Sequence, residues 1–87
     1  MDNQEFVELC KRKVESYILK TDDTPEGEPV KQPQIYVVWL SKALQNNKAL
    51  LSTDISDGMY YECTYNGDKH ELYLDAYKKW ENVCIKV

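Results

Sequence analysis

Hydrophobic periodicity changes once along this chain, and the change falls where all three prolines lie. Up to residue 20 the apolar side chains Phe6, Val7, Cys10, Val14, Tyr17 and Ile18 recur three and four apart, with Glu5, Glu8, Lys11, Arg12 and Glu15 between them. That is the stripe of an amphipathic helix. From residue 35 the chain reads "IYVVWL" and later "GMYYECTYNGDKHELYLD", β-branched and aromatic runs that fit strands. The segment between them, "TDDTPEGEPVKQPQ", holds Pro25, Pro29, Pro33, Gly27 and four acids. Neither a continuous helix nor a central strand passes through prolines so spaced. A helix is thus tethered by an acidic loop to a sheet, and each can bury its apolar side only against the other.

Within 87 residues there is surface for one core and one domain, spanning residues 1–87. The helix is expected over about residues 3–20, with Asp2 as N-cap and Glu5 placed to complete a capping box. The acidic loop follows over 21–34, and the sheet with a C-terminal helix over 35–87. In "KALQNNKALL" the residue types favour a helix, but taking Asn46-Asn47 as a two-residue turn pairs Gln45 with Lys48, Leu44 with Ala49 and Ala43 with Leu50. The hairpin reading is preferred, because it continues the "IYVVWL" strand without a break. Asn66-Gly67 reads as a second two-residue turn, pairing Cys63 with His70, Tyr61 with Leu72 and Met59 with Leu74 on an inner face. The outer face of that hairpin then carries Thr64 beside Lys69, Glu62 beside Glu71, and Tyr60 beside Tyr73. Asp75 is expected to cap a short helix with Ala76, Tyr77, Trp80, Val83 and Cys84 on one side. The fold class expected is α+β: an N-terminal helix, a three- to four-stranded antiparallel sheet and a short C-terminal helix in a two-layer sandwich.

Charge narrows the function classes. The net charge of -4 has the wrong sign for a protein whose main task is gripping phosphates. Residues 35–53 carry Lys42 and Lys48 and no acid, so an anion-facing surface would have to include them. Three cysteines, without a Cys-x-x-Cys or Cys-His cluster, read as reduced and mostly buried thiols of a cytosolic protein. No stretch approaches the roughly eighteen apolar residues of a membrane span, and the first ten residues do not resemble a secretory signal.

The candidate chemistry is sparse. Cys63 opposite His70 would be a nucleophile with its base, or half of a zinc site, but the spacing supplies no third ligand and no orienting acid. Glu62 opposite Glu71 opposes like charges across a strand pair; an open sheet face does not desolvate them as acid-base catalysis requires, so recognition of a basic surface is the better functional reading. Tyr60 and Tyr73, joined by Tyr36 or Trp39 depending on which side of the first strand faces outward, form an aromatic platform. Flanked by acids, such a platform suits a protein interface better than stacked bases. Trp39, Lys42, Gln45, Asn46, Asn47 and Lys48 are the one polar cluster fitted to a nucleic acid, with two lysines for counterion release. No phosphate loop, catalytic triad order or metal-spaced set is present, and no cofactor or metal is expected.

The segments "VVWLSKALQNNKALLST" and "DGMYYECTYNGDKHELYLDAYKKWEN" resemble a family of small uncharacterised phage and prophage proteins of Gram-positive bacteria, over about residues 35–85. The resemblance implies a short protein made in the bacterial host cytoplasm, and it carries over no catalytic residues. The resulting expectation is a small non-enzymatic phage accessory protein of the host-takeover kind. It would bind a host or phage protein through Tyr60, Glu62, Glu71 and Tyr73. The alternative is a nucleic-acid-binding module using Trp39, Lys42, Gln45, Asn46 and Lys48. Homodimerisation through an exposed strand edge is compatible with either.

Overall fold

A computed structural model describes residues 1–21, 34–55 and 57–87. The expected acidic loop lies, for residues 22–33, outside the described residues. One helix, α1 (Asn3–Thr21), precedes four strands, β1 (Ile35–Ala43), β2 (Asn46–Thr53), β3 (Met59–Asn66) and β4 (Glu71–Lys78). The strands form one antiparallel sheet in the order β1-β2-β3-β4, each paired with its neighbours in sequence.

The helix starts where its cap is. Asp2 Oδ1 accepts the Glu5 amide at 2.8 Å, satisfying one of the donors a helix leaves open at its N-terminus. Phe6, Cys10, Val14 and Ile18, four apart, are buried and face Ala49 and Leu51 of β2 and Tyr61 and Cys63 of β3. Tyr17 meets Tyr61 edge to face, with ring centroids 5.9 Å apart and planes at 67°. Ile35, Val37, Met59, Tyr65, Leu72 and Leu74 close the rim of this core. Full burial of a side chain such as Phe6 or Leu51 contributes roughly 1.5–3 kcal/mol, so a few such residues hold the two layers together. The Cys10 thiol is pushed above the ordinary thiol range by its hydrogen bond with Cys63 and by burial, so it stays protonated and inert.

Three local expectations give way to the tertiary structure. The first hairpin exists, but its turn is Leu44-Gln45, two residues before the Asn46-Asn47 expected, with Ala43 opposite Asn46 and Lys42 opposite Asn47. The Asn46-Asn47 register would have set Lys42 opposite Leu51; the observed one sets Val37 there and Trp39 opposite Leu50. Matching apolar partners outweighs turn preference, and the cost is a leucine, Leu44, held at φ 56°.

The second hairpin also slips. Gly67–His70 make a four-residue loop, with Asn66 opposite Glu71. Asn66 Oδ1 accepts the amides of Asp68 at 3.1 Å and Lys69 at 3.3 Å, so the asparagine works as a side-chain turn rather than as a residue of a two-residue loop. Cys63 then faces Leu74, Tyr65 faces Leu72 and Tyr61 faces Ala76, which keeps His70 out of the core. The expected Cys63–His70, Tyr61–Leu72 and Met59–Leu74 pairs are therefore replaced, Met59 lying opposite Lys78.

The third correction is the C-terminal helix, which is not formed. Residues Asp75–Lys78 continue β4 and pair with Glu62 back to Met59. A helix from Asp75 would leave that half of β3 with an unpaired ladder, and backbone satisfaction overrides the helical spacing of Ala76, Tyr77, Trp80 and Val83. Residues 79–87 have no regular secondary structure. The Lys79 amide donates to the Gly58 carbonyl at 2.7 Å, and beyond it Trp80 is 94% exposed.

Candidate interaction surface

The helix covers one face of the sheet, and no described element covers the other. What that outer face presents follows from strand parity. In β2 and β3 the odd-numbered residues Ala49, Leu51, Tyr61 and Cys63 point to the core, so Leu50, Lys48, Tyr60, Glu62 and Thr64 point away. In β4, Tyr73, Asp75 and Tyr77 pair with Thr64, Glu62 and Tyr60 and so share the outer face.

β1 needs an irregularity to join them. The register shifts between Val37 and Trp39, leaving Val38 as the extra residue of a β-bulge. Before the bulge Tyr36 pairs with Ser52, and after it Trp39 pairs with Leu50, so both aromatic rings lie on the outer face. The sequence left Tyr36 and Trp39 as alternatives, because an unbroken strand can send only one of them outward. The result is a band of Tyr36, Trp39, Leu50, Tyr60, Tyr73 and Tyr77, in which Tyr36, Tyr73 and Tyr77 are each about half exposed.

The four residues expected to form a docking surface, Tyr60, Glu62, Glu71 and Tyr73, all lie on this face, with different neighbours from those expected. A slip of the hairpin by an even number of residues exchanges partners without exchanging faces. Glu62 is opposite Asp75 instead of Glu71, so the like-charge opposition survives with another acid. Lys48 Nζ stands 3.1 Å from Glu62 Oε1 and offsets part of it. At the hairpin end Glu71 accepts the Tyr73 hydroxyl, and this hydrogen bond together with the carboxylate charge raises the Tyr73 phenol above its ordinary range. Asp75 and Tyr77 were missed as surface residues because they were assigned to a helix; the alternation Tyr73, Asp75, Tyr77 was the signal that carried them.

The alternative set does not assemble. Trp39, Asn46 and Lys48 face outward, Lys42 lies across from inward-facing Asn47, and Gln45 occupies the turn between β1 and β2. Cys63 and His70 are likewise apart: the thiol sits in the core beside Cys10, while His70, at φ 53°, has Nδ1 3.4 Å from the Tyr65 hydroxyl in the loop. Among the described residues no group of three or more His, Cys, Asp or Glu is arranged to hold a metal ion. No described helix is long and apolar enough to cross a membrane.

No curated protein and no solved structure matches the chain. A family model does match, over residues 7–87, and so spans most of α1, both hairpins and the exposed C-terminal segment. The chain therefore belongs to DUF6275, a family of unknown function.

Proposed function

We propose that this chain is a non-enzymatic binding module that docks a partner protein on its outer sheet face. The observation that carries the reading is the composition of that face: Tyr36, Trp39, Leu50, Tyr60, Tyr73 and Tyr77, interleaved with the acids Glu62 and Asp75 and bounded at the hairpin end by Glu71. Soluble proteins seldom leave such a band on a small sheet without a use for it, and tyrosine and tryptophan supply large contact area at low entropic cost. The partner surface that fits alternates apolar groups with basic ones. Among the described strand residues Lys48 is the cation of this face and already stands beside Glu62, which leaves little to attract a phosphate backbone. The nucleic-acid reading through Trp39, Lys42, Gln45, Asn46 and Lys48 is the weaker one for that reason, and because these residues divide between the two faces and the turn.

The setting we infer is that of a phage or prophage protein acting in the cytoplasm of a Gram-positive host, with a host or phage protein as the partner. It rests on the resemblance of residues 35–85 to such proteins. The test is affinity capture from expressing host cells with the native chain and with a Tyr60→Ser, Glu62→Gln, Glu71→Gln, Tyr73→Ser variant, each checked for folding by circular dichroism. The native chain should retain a protein that the variant loses. Equal retention by both would refute docking on this face. A mobility shift at low salt with tens of micromolar protein would instead favour the nucleic-acid reading.

A further inference from the structure

On the helix side of the sheet, where both hairpins end, one transverse row reads Lys42, Asn47, Tyr65 and Leu72 from β1 to β4. Met1 comes down over this row, and Lys42 Nζ donates to its carbonyl at 3.4 Å. The two hairpin ends close together over it because Gly67 has no Cβ: one added there would overlap the Gln45 carbonyl oxygen. Between these groups lies a cavity of about 170 Å³, lined among others by Lys42, Gln45, Asn47, Tyr65 and His70.

Asn47 is what sets this cavity apart. It is 2% exposed, and its Nδ2 has no hydrogen-bond partner among the described residues. A buried amide without an acceptor is costly and rare in a folded chain, and this one belongs to a side chain lining a polar cavity. Other polar groups stand around it. Lys42 brings a cation, and the Tyr65 hydroxyl and His70 Nδ1 lie 3.4 Å apart, each able to donate or accept. No carboxylate is among the lining residues.

We propose that this cavity is a binding site for a small oxyanion, a phosphate or a carboxylate group, held by Asn47 Nδ2 and the Lys42 ammonium with Tyr65 and His70 beside them. An unpartnered buried donor beside one cation, with no carboxylate in the lining, selects an anionic acceptor. The volume selects a small one: pockets for drug-sized molecules run to roughly 300–1,000 Å³, above what is open here. The oxyanion is either a free ion or the terminal carboxylate of a peptide entering from the open side. The site lies on the opposite side of the sheet from the proposed docking face, so either proposal can fail without the other.

The test uses the intact chain labelled with 15N. Inorganic phosphate, acetate and a short peptide with a free C-terminal carboxylate are titrated separately at constant ionic strength against chloride. The expected result is a saturable shift of the Asn47 side-chain amide pair and of the Gly67 backbone amide with at least one of the three. Phosphate alone assigns a phosphate site, acetate and peptide together a carboxylate site, and peptide alone a C-terminus. Lys42→Met should weaken that binding about tenfold or more. Asn47→Leu should abolish it while melting no lower than the native chain, since it removes an unpartnered buried donor. Should Asn47→Leu fail to fold, the Lys42→Met titration decides alone. Shifts that match chloride, that never saturate, or that Lys42→Met leaves unchanged would overturn the site and leave a water-filled cavity.

Discussion

Leu44 stands at the first position of the two-residue turn between β1 and β2 with φ 56° and 94% of its surface exposed. For an L-residue the left-handed region costs about 1–2 kcal/mol through its Cβ, and in such turns a glycine usually occupies this place. An exposed side chain returns almost nothing by packing, so the strain is borne for the register, which sets Leu51 against Val37 and Leu50 against Trp39. Of the two turn residues only Leu44 has a positive φ, the type II′ pattern, so glycine is the replacement that relieves the strain. Leu44→Gly relieves it but loses about 0.4–1 kcal/mol to the freer unfolded chain, so the net stabilisation should be about 0.5–1 kcal/mol. Leu44→Ala keeps the Cβ and should be close to neutral. For a domain of 87 residues 1 kcal/mol is about 5 °C in Tm. Thermal melts followed by circular dichroism should rank glycine above alanine and the native leucine. If the glycine variant melts at or below the native chain, the turn is not strained, and the account of why the register moved fails with it.

Other consequences can be read as directly. Gly67→Ala forces a Cβ onto the Gln45 carbonyl and should destabilise by about 1–3 kcal/mol in urea unfolding, whereas alanine at Gly58, whose nearest neighbours stand at 3.8 Å, meets no clash and pays only for φ 70°. Cys84 is exposed while Cys10 and Cys63 are buried, so a thiol reagent should modify one cysteine in the native chain and three in denaturant. Burial, helped by the nearby charge of Asp57, raises the Tyr61 phenol above its ordinary value of 10. The folded chain then holds that proton longer than the unfolded one, so its contribution to stability is complete below about pH 10 and is lost as pH rises through the raised folded value. Tyr61→Phe should flatten that alkaline decline. A double-mutant cycle on Lys48 and Glu62 should return a coupling of about 0.2–1 kcal/mol that shrinks with added salt, because the pair is surface-placed.

Much of the outer face was legible before any coordinates, for a physical reason. Strand alternation has a period of two, so Tyr60, Glu62, Glu71 and Tyr73 share a face in every register that differs by an even number of residues. Neighbours were not legible to the same degree. Asn66-Gly67 is a strong local turn signal, yet its asparagine caps a four-residue loop, and only pairing Leu72 and Leu74 with Tyr65 and Cys63 decides between the two. The cavity at the hairpin ends was not legible at all. Lys42 and Asn47 were read as one exposed polar cluster with Trp39 and Lys48, and the fold turns Asn47 inward while Lys48 points out.

The sequence by itself determined the helix, its cap at Asp2 and its buried stripe, because those depend on spacing within one element. It determined equally that strands follow, and which runs supply them, since alternation and β-branched content are local. The tertiary structure alone decided where the hairpins turn, that β4 continues through Lys78 instead of becoming a helix, and that a bulge sends both Tyr36 and Trp39 outward. Each of these is a choice of partner across space. Local preferences of about a kilocalorie are overruled there by burial of side chains worth roughly 1.5–3 kcal/mol each and by backbone groups that must be paired.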